Sequence, residues 1–532
     1  MDWRFLPRLG AAMLLGLLGA CATGQVRPDV VKVPSQAVTP AVDTPIADSV
    51  QPVEAALAPG ESGFRLLTLN TNALLSRVVL AGKAHQSIDL QTYIYEDDDT
   101  GRVVAQALLT AADRGVRVRL LVDDMPKKDD SARLFEALEA HPNIEVRVFN
   151  PFRSRAPGML SKAAQMLVEF RRLNRRMHNK SFIVDNQVAI IGGRNIADDY
   201  FDAAEDSNYR DLDLLAVGPV VKQASHAFDR YWNDEATMPA AAWQQAKSAP
   251  ADLEKARADL AKGVRKFAES DFAQVALEEM PDGPTADRAG HWFWGAAVMT
   301  ADQPEKIDAG VDGDESESPE LLISPKVKEL MFGAKSELLL VTPYFVPSKD
   351  DRAALVALAQ RQVAVKIATN SLAATDQPAV HSAYGPMRKE LLAGGVKLYE
   401  TKPRAGAAQT RAQDAGDGVT LHAKSFVVDQ RVVFVGSMNM DRRSALLNTE
   451  QGIVVDSPAL AKAVSEYFGT VTQPANAWRL SLERKGDGEL GQVLWTDEKD
   501  GKPRTLDHEP EVGPLKRGEV LLFKLLPIDG LL

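Results

Sequence analysis

A single cysteine, Cys21, stands in a chain of 532 residues, so neither an intrachain disulfide nor a cysteine-built zinc site can hold the fold. Histidine is also scarce, with eight residues in all. Positive charge is outnumbered: 62 Lys and Arg face 73 Asp and Glu, for a formal net charge of −11. That balance argues against a general polyanion binder, because nucleic-acid affinity comes largely from phosphate neutralisation. Beyond the N-terminus no apolar run reaches membrane-spanning length, which excludes a polytopic membrane protein. What remains is an ordinary globular composition, 45% hydrophobic and 25% charged, long enough for two core units with flanking segments.

The N-terminus places Arg4 and Arg8 ahead of an apolar run from Leu9 through Leu18, followed by Gly19, Ala20 and Cys21. "LGAC" resembles the site at which bacterial lipoprotein precursors are cleaved and lipidated. The resemblance implies a signal peptide over 1–21, lipidation of Cys21, and a membrane-anchored protein of the bacterial envelope facing the periplasm. Ala22, where an Asp would favour inner-membrane retention, tilts the expected site to the outer membrane. Residues 22–62 are rich in Pro, Val, Ala, Thr and Asp without apolar periodicity and are expected to be a disordered tether, with a reach on the order of 130 Å.

The body runs through the same series of segments twice. "HQSIDLQTYIY" from His85 answers "KSELLLVTPYFV" from Lys335, "RGVRVRLLVDD" answers "RQVAVKIATNS", and "MHNKSFIVD" from Met177 answers "LHAKSFVVD" from Leu421. The sequels repeat too, "VAIIGGRNI" against "VVFVGSMNM". Blocks recurring in one order at one offset are a tandem duplication. Within each, β-branched runs alternate with amphipathic helical stretches, which predicts an α/β fold. The expected division is a first half over 63–250, a linker with an acidic loop over 251–320, a second half over 321–475, and a tail over 476–532. The tail's "VLLFKLLPIDGLL" has two readings, docking on the core or membrane contact.

The repeated motif carries the chemistry. His178 and Lys180 are two residues apart, so on a strand they share a face; His422 and Lys424 do the same. Asp185 and Asp429 close each motif at a predicted turn. One such His is most simply a core residue, but two copies in a duplication can meet across a pseudo-twofold interface, with Asn195 and Asn439 beside them. Lysine is a poor metal ligand and no carboxylate-rich shell accompanies it, so no metal and no cofactor is expected. The lysines and the two Asn suit the non-bridging oxygens of a phosphodiester, and Gly192, Gly193 and Gly436 are expected to let backbone approach it. A neutral His can then attack phosphorus while a second His protonates the departing oxygen. Asp211 and Glu450, at matching places after the motifs, are candidates to orient the imidazoles, or are ordinary strand-end carboxylates.

The duplicated H-x-K-x₄-D motif followed by G-G/S-x-N resembles the phospholipase D superfamily over most of the chain from about Phe64. "TYIYEDDDTGR", "RLNRRMHNKSF", "GGRNIADDYF" and "DLDLLAVGPVV" are most similar to the bacterial C-type cardiolipin synthases. The resemblance implies two α/β sandwich halves about a pseudo-twofold axis, with the active site at their interface. It implies metal-independent phosphatidyl transfer through a phosphohistidine, with His178 as nucleophile and His422 as general acid. It further implies that Glu450 pairs with His178 and Asp211 with His422, and that Asp185 and Asp429 are the structural members of the set His178, Lys180, Asp185, His422, Lys424 and Asp429. The expected substrates are phospholipids: phosphatidylglycerol giving cardiolipin, with phosphatidylethanolamine as a second candidate donor. Hydrolysis to phosphatidic acid is the nearest alternative, followed by a metal-independent nuclease and a non-catalytic lipid-binding lipoprotein. The lipobox and tether depart from the familiar C-type pattern, and the sequence carries no signal for an oligomeric state.

A stretch without counterpart in the second half, from Met159 to Arg176, places Met159, Leu160, Ala163, Met166, Leu167, Phe170 and Leu173 at helical spacing. Arg171, Arg172, Arg175 and Arg176 follow. Either this helix dips into the lipid interface with its arginines on anionic headgroups, or its apolar face packs on the core.

Overall fold

The computed structural model describes residues 30–125, 130–152, 168–243, 250–269, 292–308, 318–403, 418–484, 490–499 and 501–524. The first half contributes strands β1 (Glu61–Leu67), β2 (Ser87–Thr92), β3 (Arg117–Asp123), β4 (Ile144–Phe149), β5 (Ser181–Val184), β6 (Val188–Gly192), β7 (Ser207–Arg210), β8 (Asp213–Val217) and β9 (Thr237–Pro239). The second contributes β10 (Phe293–Ala301), β11 (Glu337–Val341), β12 (Ala364–Asn370), β13 (Lys397–Thr401), β14 (Gly418–Leu421), β15 (Lys424–Val428), β16 (Val432–Gly436) and β17 (Gln451–Asp456). After them come β18 (Ala477–Arg484), β19 (Leu490–Lys499) and β20 (Lys502–Leu506).

The halves share one strand order. Three parallel strands, β4-β3-β2 or β13-β12-β11, continue antiparallel into β5-β6-β8 or β15-β16-β17. The helix Asp99–Asp113 and, in the second half, Lys349–Gln360 supply parallel crossovers. Asp98 and Ser348 cap their first turns by accepting from Gly101 N and Asp351 N.

Each hairpin buries both faces, which is why its strands are unbroken apolar runs rather than alternating ones. Phe182, Val184 and Ile190 belong to the first half's helix-covered core; Phe426, Val428 and Phe434 belong to the second's. The opposite faces meet each other: Ile183, Ala189, Ile191 and Leu214 form one cluster with Val427, Val433, Val435 and Ile453. At roughly 1.5–3 kcal/mol for each large aliphatic side chain buried, this shared core is what holds the two motifs at a fixed separation.

Three expected segments differ. The linker over 251–320 contains β10, which pairs with β1 on one edge and β17 on the other and so joins the half-sheets into one sheet of eighteen strands. It occupies the position in the second half that β1 has in the first. Its sequence, FWGAAVMTA, alternates burial weakly and leaves Trp294 and Val298 partly exposed, so it carries little strand signal. The tail is partly sheet as well, because β18 pairs with β13 and β19 and β20 extend the edge.

The tether reading fails from residue 30 onward. Arg119 and Arg147 donate to the carbonyls of Ser35 and Val33, Ser35 N donates to Asn233 Oδ1 at 3.0 Å, and Ala37 N to Asp229 Oδ2 at 2.8 Å. A helix, Pro45–Glu54, capped by Thr44, then buries Ile46, Val50 and Val53. The partners that order this segment sit on the body, so its own composition does not announce them. Cys21 and the rest of the proposed signal, the acidic loop at 309–317, Met159–Leu167 and the last residues, 525–532, lie outside the described residues.

Candidate active site

Backbone pairing across the halves places the two histidines. His178 N donates to Thr449 O at 2.9 Å while Thr449 N donates to Arg176 O at 2.8 Å. In the mirrored arrangement β14 runs parallel to β7 with Leu421 opposite Arg210, and His422 N donates to Arg210 O at 2.7 Å. Each motif is therefore stitched to the residue just before the other half's carboxylate, Glu450 after Thr449 and Asp211 after Arg210. The side chains follow: His178 Nδ1 lies 2.9 Å from Glu450 Oε2, and His422 Nδ1 lies 2.6 Å from Asp211 Oδ2. All four are buried, and each imidazole meets its carboxylate through Nδ1, leaving Nε2 for chemistry.

The lysines sit inside this arrangement. Lys180 Nζ donates to His178 O at 2.6 Å, and Lys424 Nζ lies 3.0 Å from His422 Nε2. Burial drives the Lys180 ammonium well below its ordinary value, and burial lowers Lys424 to about 8. Burial, then the lysine charges, holds His178 well below the usual imidazole value, and burial with Lys424 takes His422 to about 4 against the pull of Asp211. Both imidazoles are neutral in the free protein.

Their carboxylates are not alike. Burial raises Glu450 to about 7, opposed by Lys180 and by the hydroxyls of Ser437 and Ser444. For Asp211 burial pushes the same way, but His422, Lys424 and Arg194 outweigh it and hold the carboxyl below the usual range. The groups packed behind the two carboxylates differ as well. Behind Asp211, Arg194 donates to Asp211 O at 2.7 Å and, with Arg77, pairs with Asp213. Behind Glu450 stands another acid, Asp302, which accepts from Glu450 N at 2.8 Å and is paired with the buried Lys306 at 2.7 Å.

The other expected residues fall in different places. Asn195 Nδ2 donates to Tyr200 OH at 2.7 Å, and Tyr200 meets His422 edge-on with ring centroids 5.1 Å apart. Asn439 is buried with an unpartnered Oδ1. The glycines serve a purpose other than phosphate approach: a Cβ at Gly193 would lie 2.2 Å from Asp211 Oδ1, and one at Gly436 would lie 2.3 Å from Gln451 O. Glycine is required there so that the carboxylate and the neighbouring strand can come close.

Asp185 and Asp429, members of the motif set expected to be structural, lie away from the histidines at the far end of each hairpin. The turns are closed by Gln187 N donating to Val184 O and Arg431 N to Val428 O, and their central residues have positive φ, 53° and 53° at Asp185 and Asn186 and 53° and 52° at Asp429 and Gln430. The Asp185 carboxylate accepts from His85 N, Gln86 N and Ser87 N at 2.9, 2.7 and 2.8 Å. Asp429 accepts likewise from Lys335, Ser336 and Glu337. Asp185→Ala strands those donors and is expected to destabilise the protein by on the order of 2 kcal/mol, read by denaturant unfolding, while turnover per folded molecule is retained.

The arginines before the first motif are mostly committed internally. Arg175 and Arg176 are buried, Arg175 donating to Ile307 O and Arg176 pairing with Asp123, so these two do not reach lipid headgroups. Leu173 is core, whereas Val168 and Phe170 are 85% and 40% exposed. Asp123, Arg194, Asp302, Lys306 and Ser444 escaped sequence reasoning. Arg194 lies inside the repeated "GGRN", but Met438 takes its place in the other copy, so the duplication did not point to it.

The sequence profile of the family described as "Cardiolipin synthase, PLD-like domain" matches residues 79–232 and 327–472. Cardiolipin synthase C of Escherichia coli (strain K12) is 38% identical over 483 residues, 89% of this chain and 97% of that protein. An uncharacterized protein of Helicobacter pylori (strain ATCC 700392 / 26695) is 34% identical over 447 residues, 83% of this chain and 84% of its own. Among solved structures, phosphatidylserine synthase of Haemophilus influenzae Rd KW20 superposes with a TM-score of 0.55 at 13% identity, covering 92% of this chain and all of that one, a likeness of fold.

Proposed function

The chain belongs to the cardiolipin synthase, PLD-like domain family and is a phosphatidyltransferase of the phospholipase D superfamily, and from that premise we propose that it makes cardiolipin from phosphatidylglycerol and a second phospholipid through a phosphohistidine. The observation that carries the reading is the pair of crossed His–carboxylate contacts with two lysines between them. Lys180 and Lys424, with the Asn439 amide at its edge, bind the phosphodiester anion, while Asn195 holds Tyr200 against His422. His178 Nε2 attacks phosphorus, the bond from phosphorus to the leaving alcohol breaks, and His422 gives that oxygen its proton. In the second step an acceptor hydroxyl gives its proton back to His422 as its oxygen displaces His178.

The electrostatic split supports this assignment of roles. His178, held neutral, keeps the lone pair a nucleophile needs, and Glu450 receives its Nδ1–H. His422 faces a firmly ionised Asp211, and the chief charge keeping it neutral is Lys424. A bound phosphodiester anion screens that lysine, so substrate itself raises His422 towards the protonated form an acid requires. The lysines supply the charge stabilisation that makes a metal unnecessary in this scheme.

In the same proposal Cys21 is lipidated and tethers the enzyme to an envelope membrane from the periplasmic side, and Met159–Phe170 contacts the lipid surface. Among the described residues no helix is long and apolar enough to cross a membrane. The full chain, incubated in EDTA with vesicles of phosphatidylglycerol and phosphatidylethanolamine, is expected to form cardiolipin, followed by mass spectrometry beside a His178→Ala control. Release of glycerol or of ethanolamine names the donor. Phosphatidic acid without cardiolipin would make the enzyme a hydrolase and defeat the transfer reading.

A further inference from the structure

The two-step scheme leaves a cavity of about 930 Å³ on the second half unassigned. Its lining is mixed: Arg352, paired with Glu390 at 2.8 Å, and Arg442 bring guanidinium groups to the wall, Asp441 adds a carboxylate that also accepts from Ser444 N, and Met387 and Phe523 supply apolar wall. Such a volume with a few convergent polar groups is that of a ligand site. Guanidinium forks match a phosphate, and carboxylates accept from vicinal hydroxyls, so the chemistry suits a phosphoglycerol group.

The cavity is wired to the catalytic centre. Part of its wall is the chain from Met438 to Leu446. In that segment Asn439 N donates to Ser444 Oγ at 3.1 Å, Ser444 N donates to Asp441 Oδ1 at 2.7 Å, and Ser444 Oγ donates to Glu450 Oε1 at 2.8 Å. One serine thus joins the cavity wall to the carboxylate that orients His178. Asn439, 5% exposed, belongs both to this wall and to the proposed phosphate-binding set.

The rim is apolar. Phe523 and Lys524, at the end of the helix Pro514–Phe523, line the cavity. On that helix Leu515 and Leu522, seven residues apart and so on one face, are 80% and 58% exposed, with Leu521 at 64%. Exposed leucines beside a polar cavity are what a lipid requires when its chains stay in a bilayer and its head leaves it.

We propose that this cavity binds the phosphoglycerol head of the acceptor phospholipid, with the C-terminal helix as its lipid-facing rim, and delivers the free hydroxyl to the covalent intermediate. The proposal rests on the phosphatidyl-transfer reading. It is tested first by binding, where turnover plays no part: the full chain carrying His178→Ala is titrated calorimetrically with dihexanoyl-phosphatidylglycerol and with glycerol 1-phosphate, with and without Ala383→Trp, which fills the cavity. The expected result is that the lipid binds and that Ala383→Trp weakens it at least tenfold. Binding of glycerol 1-phosphate alone would make the ligand a free polyol phosphate and overturn the lipid assignment. Lipid binding indifferent to Ala383→Trp would overturn the cavity.

The second arm is turnover. Ala383→Trp in the otherwise intact chain is expected to lower the ratio of cardiolipin to phosphatidic acid at least tenfold; an unchanged ratio would overturn the acceptor role. If the intact chain makes no cardiolipin while the cavity still binds lipid in an Ala383→Trp-sensitive way, the transfer reading falls and the cavity stands. Should Ala383→Trp lower the melting temperature, Met387→Trp, elsewhere on the same lining, makes the same test.

Discussion

Given a phosphatidyl ester of p-nitrophenol, a His422→Asn chain is expected to release one equivalent of nitrophenolate per molecule in a burst and then stall, whereas His178→Asn gives no burst. The activated leaving group needs no proton, so loss of the acid is bypassed in the first step. The second step has no such relief, because the incoming hydroxyl still has to lose its proton to His422. With an ordinary phospholipid, which needs the acid in both steps, His422→Asn is expected to lower turnover on the order of 10²–10⁴-fold. His178→Asn removes the nucleophile itself and is expected to lose turnover with either donor. Asparagine is chosen because its amide can still donate to Asp211 or Glu450, so neither buried carboxylate is left alone. Rapid-quench kinetics followed by mass analysis of the stalled protein reads the adduct directly. A burst in His178→Asn and none in His422→Asn would exchange the two roles, and a burst in neither variant with no adduct on either histidine would remove the covalent intermediate.

The asymmetry behind that prediction lies deeper than the sequence reaches. The duplicated motif made both histidines, both lysines and the pseudo-twofold arrangement legible, because a residue pattern repeated at one offset has few explanations other than one site built from two halves. Glu450 and Asp211 could be located by their matching distance from the motifs, but not distinguished. Their difference comes from how far nearby charge offsets burial: His422, Lys424 and Arg194 outweigh it at Asp211, whereas Lys180 and Lys306 do not at Glu450, and Arg194 and Lys306 are remote in the chain from the carboxylate pattern. Neither Arg194 nor Lys306 is repeated in the other half, so the duplication signal is silent on them. The same holds for β10, whose place in the sheet is set by two partner strands rather than by its own weak pattern, and for residues 30–54, ordered by Arg119, Arg147 and Asp229 of the body. Asp185 and Asp429 show the converse case. They share the motif with the histidines, yet a strand's length separates them from the chemistry, and their carboxylates instead fix the start of β2 and β11.

The carboxylate difference also sets the pH behaviour. Glu450 must be ionised to accept Nδ1–H from His178, and burial raises it to about 7, so below that value it holds a proton and the nucleophile is misdirected. Activity should therefore rise as pH increases through about 7, falling roughly tenfold per unit on the acid side. At the other end the lysines lose charge, Lys424 lowered to about 8 by burial and Lys180 driven well below its ordinary value by the same cause, and the grip on the phosphodiester weakens. The expected kcat profile, read at saturating phospholipid where the bound anion has raised His422 to its protonated form, is a bell set by Glu450 and these lysines. Asp211, held below the usual range, is ionised throughout and contributes no limb. Glu450→Gln should then abolish the acid limb and lower the plateau on the order of 10²–10⁴-fold, since a glutamine holds the ring without ionising and favours the wrong tautomer. Asp211→Asn should lower activity while leaving the acid limb in place. That contrast separates a positioning role from mere loss of structure, which would scale the whole curve in both variants. If Glu450→Gln kept a limb near 7, the limb would belong to another group, and the buried acids Asp123, Asp302 and Asp441, each raised by burial to about 6, would be the next to substitute. Lys424→Arg supplies the matching test on the alkaline side: a guanidinium stays charged, so a falling limb that moves to higher pH belongs to Lys424 and one that stays belongs to Lys180.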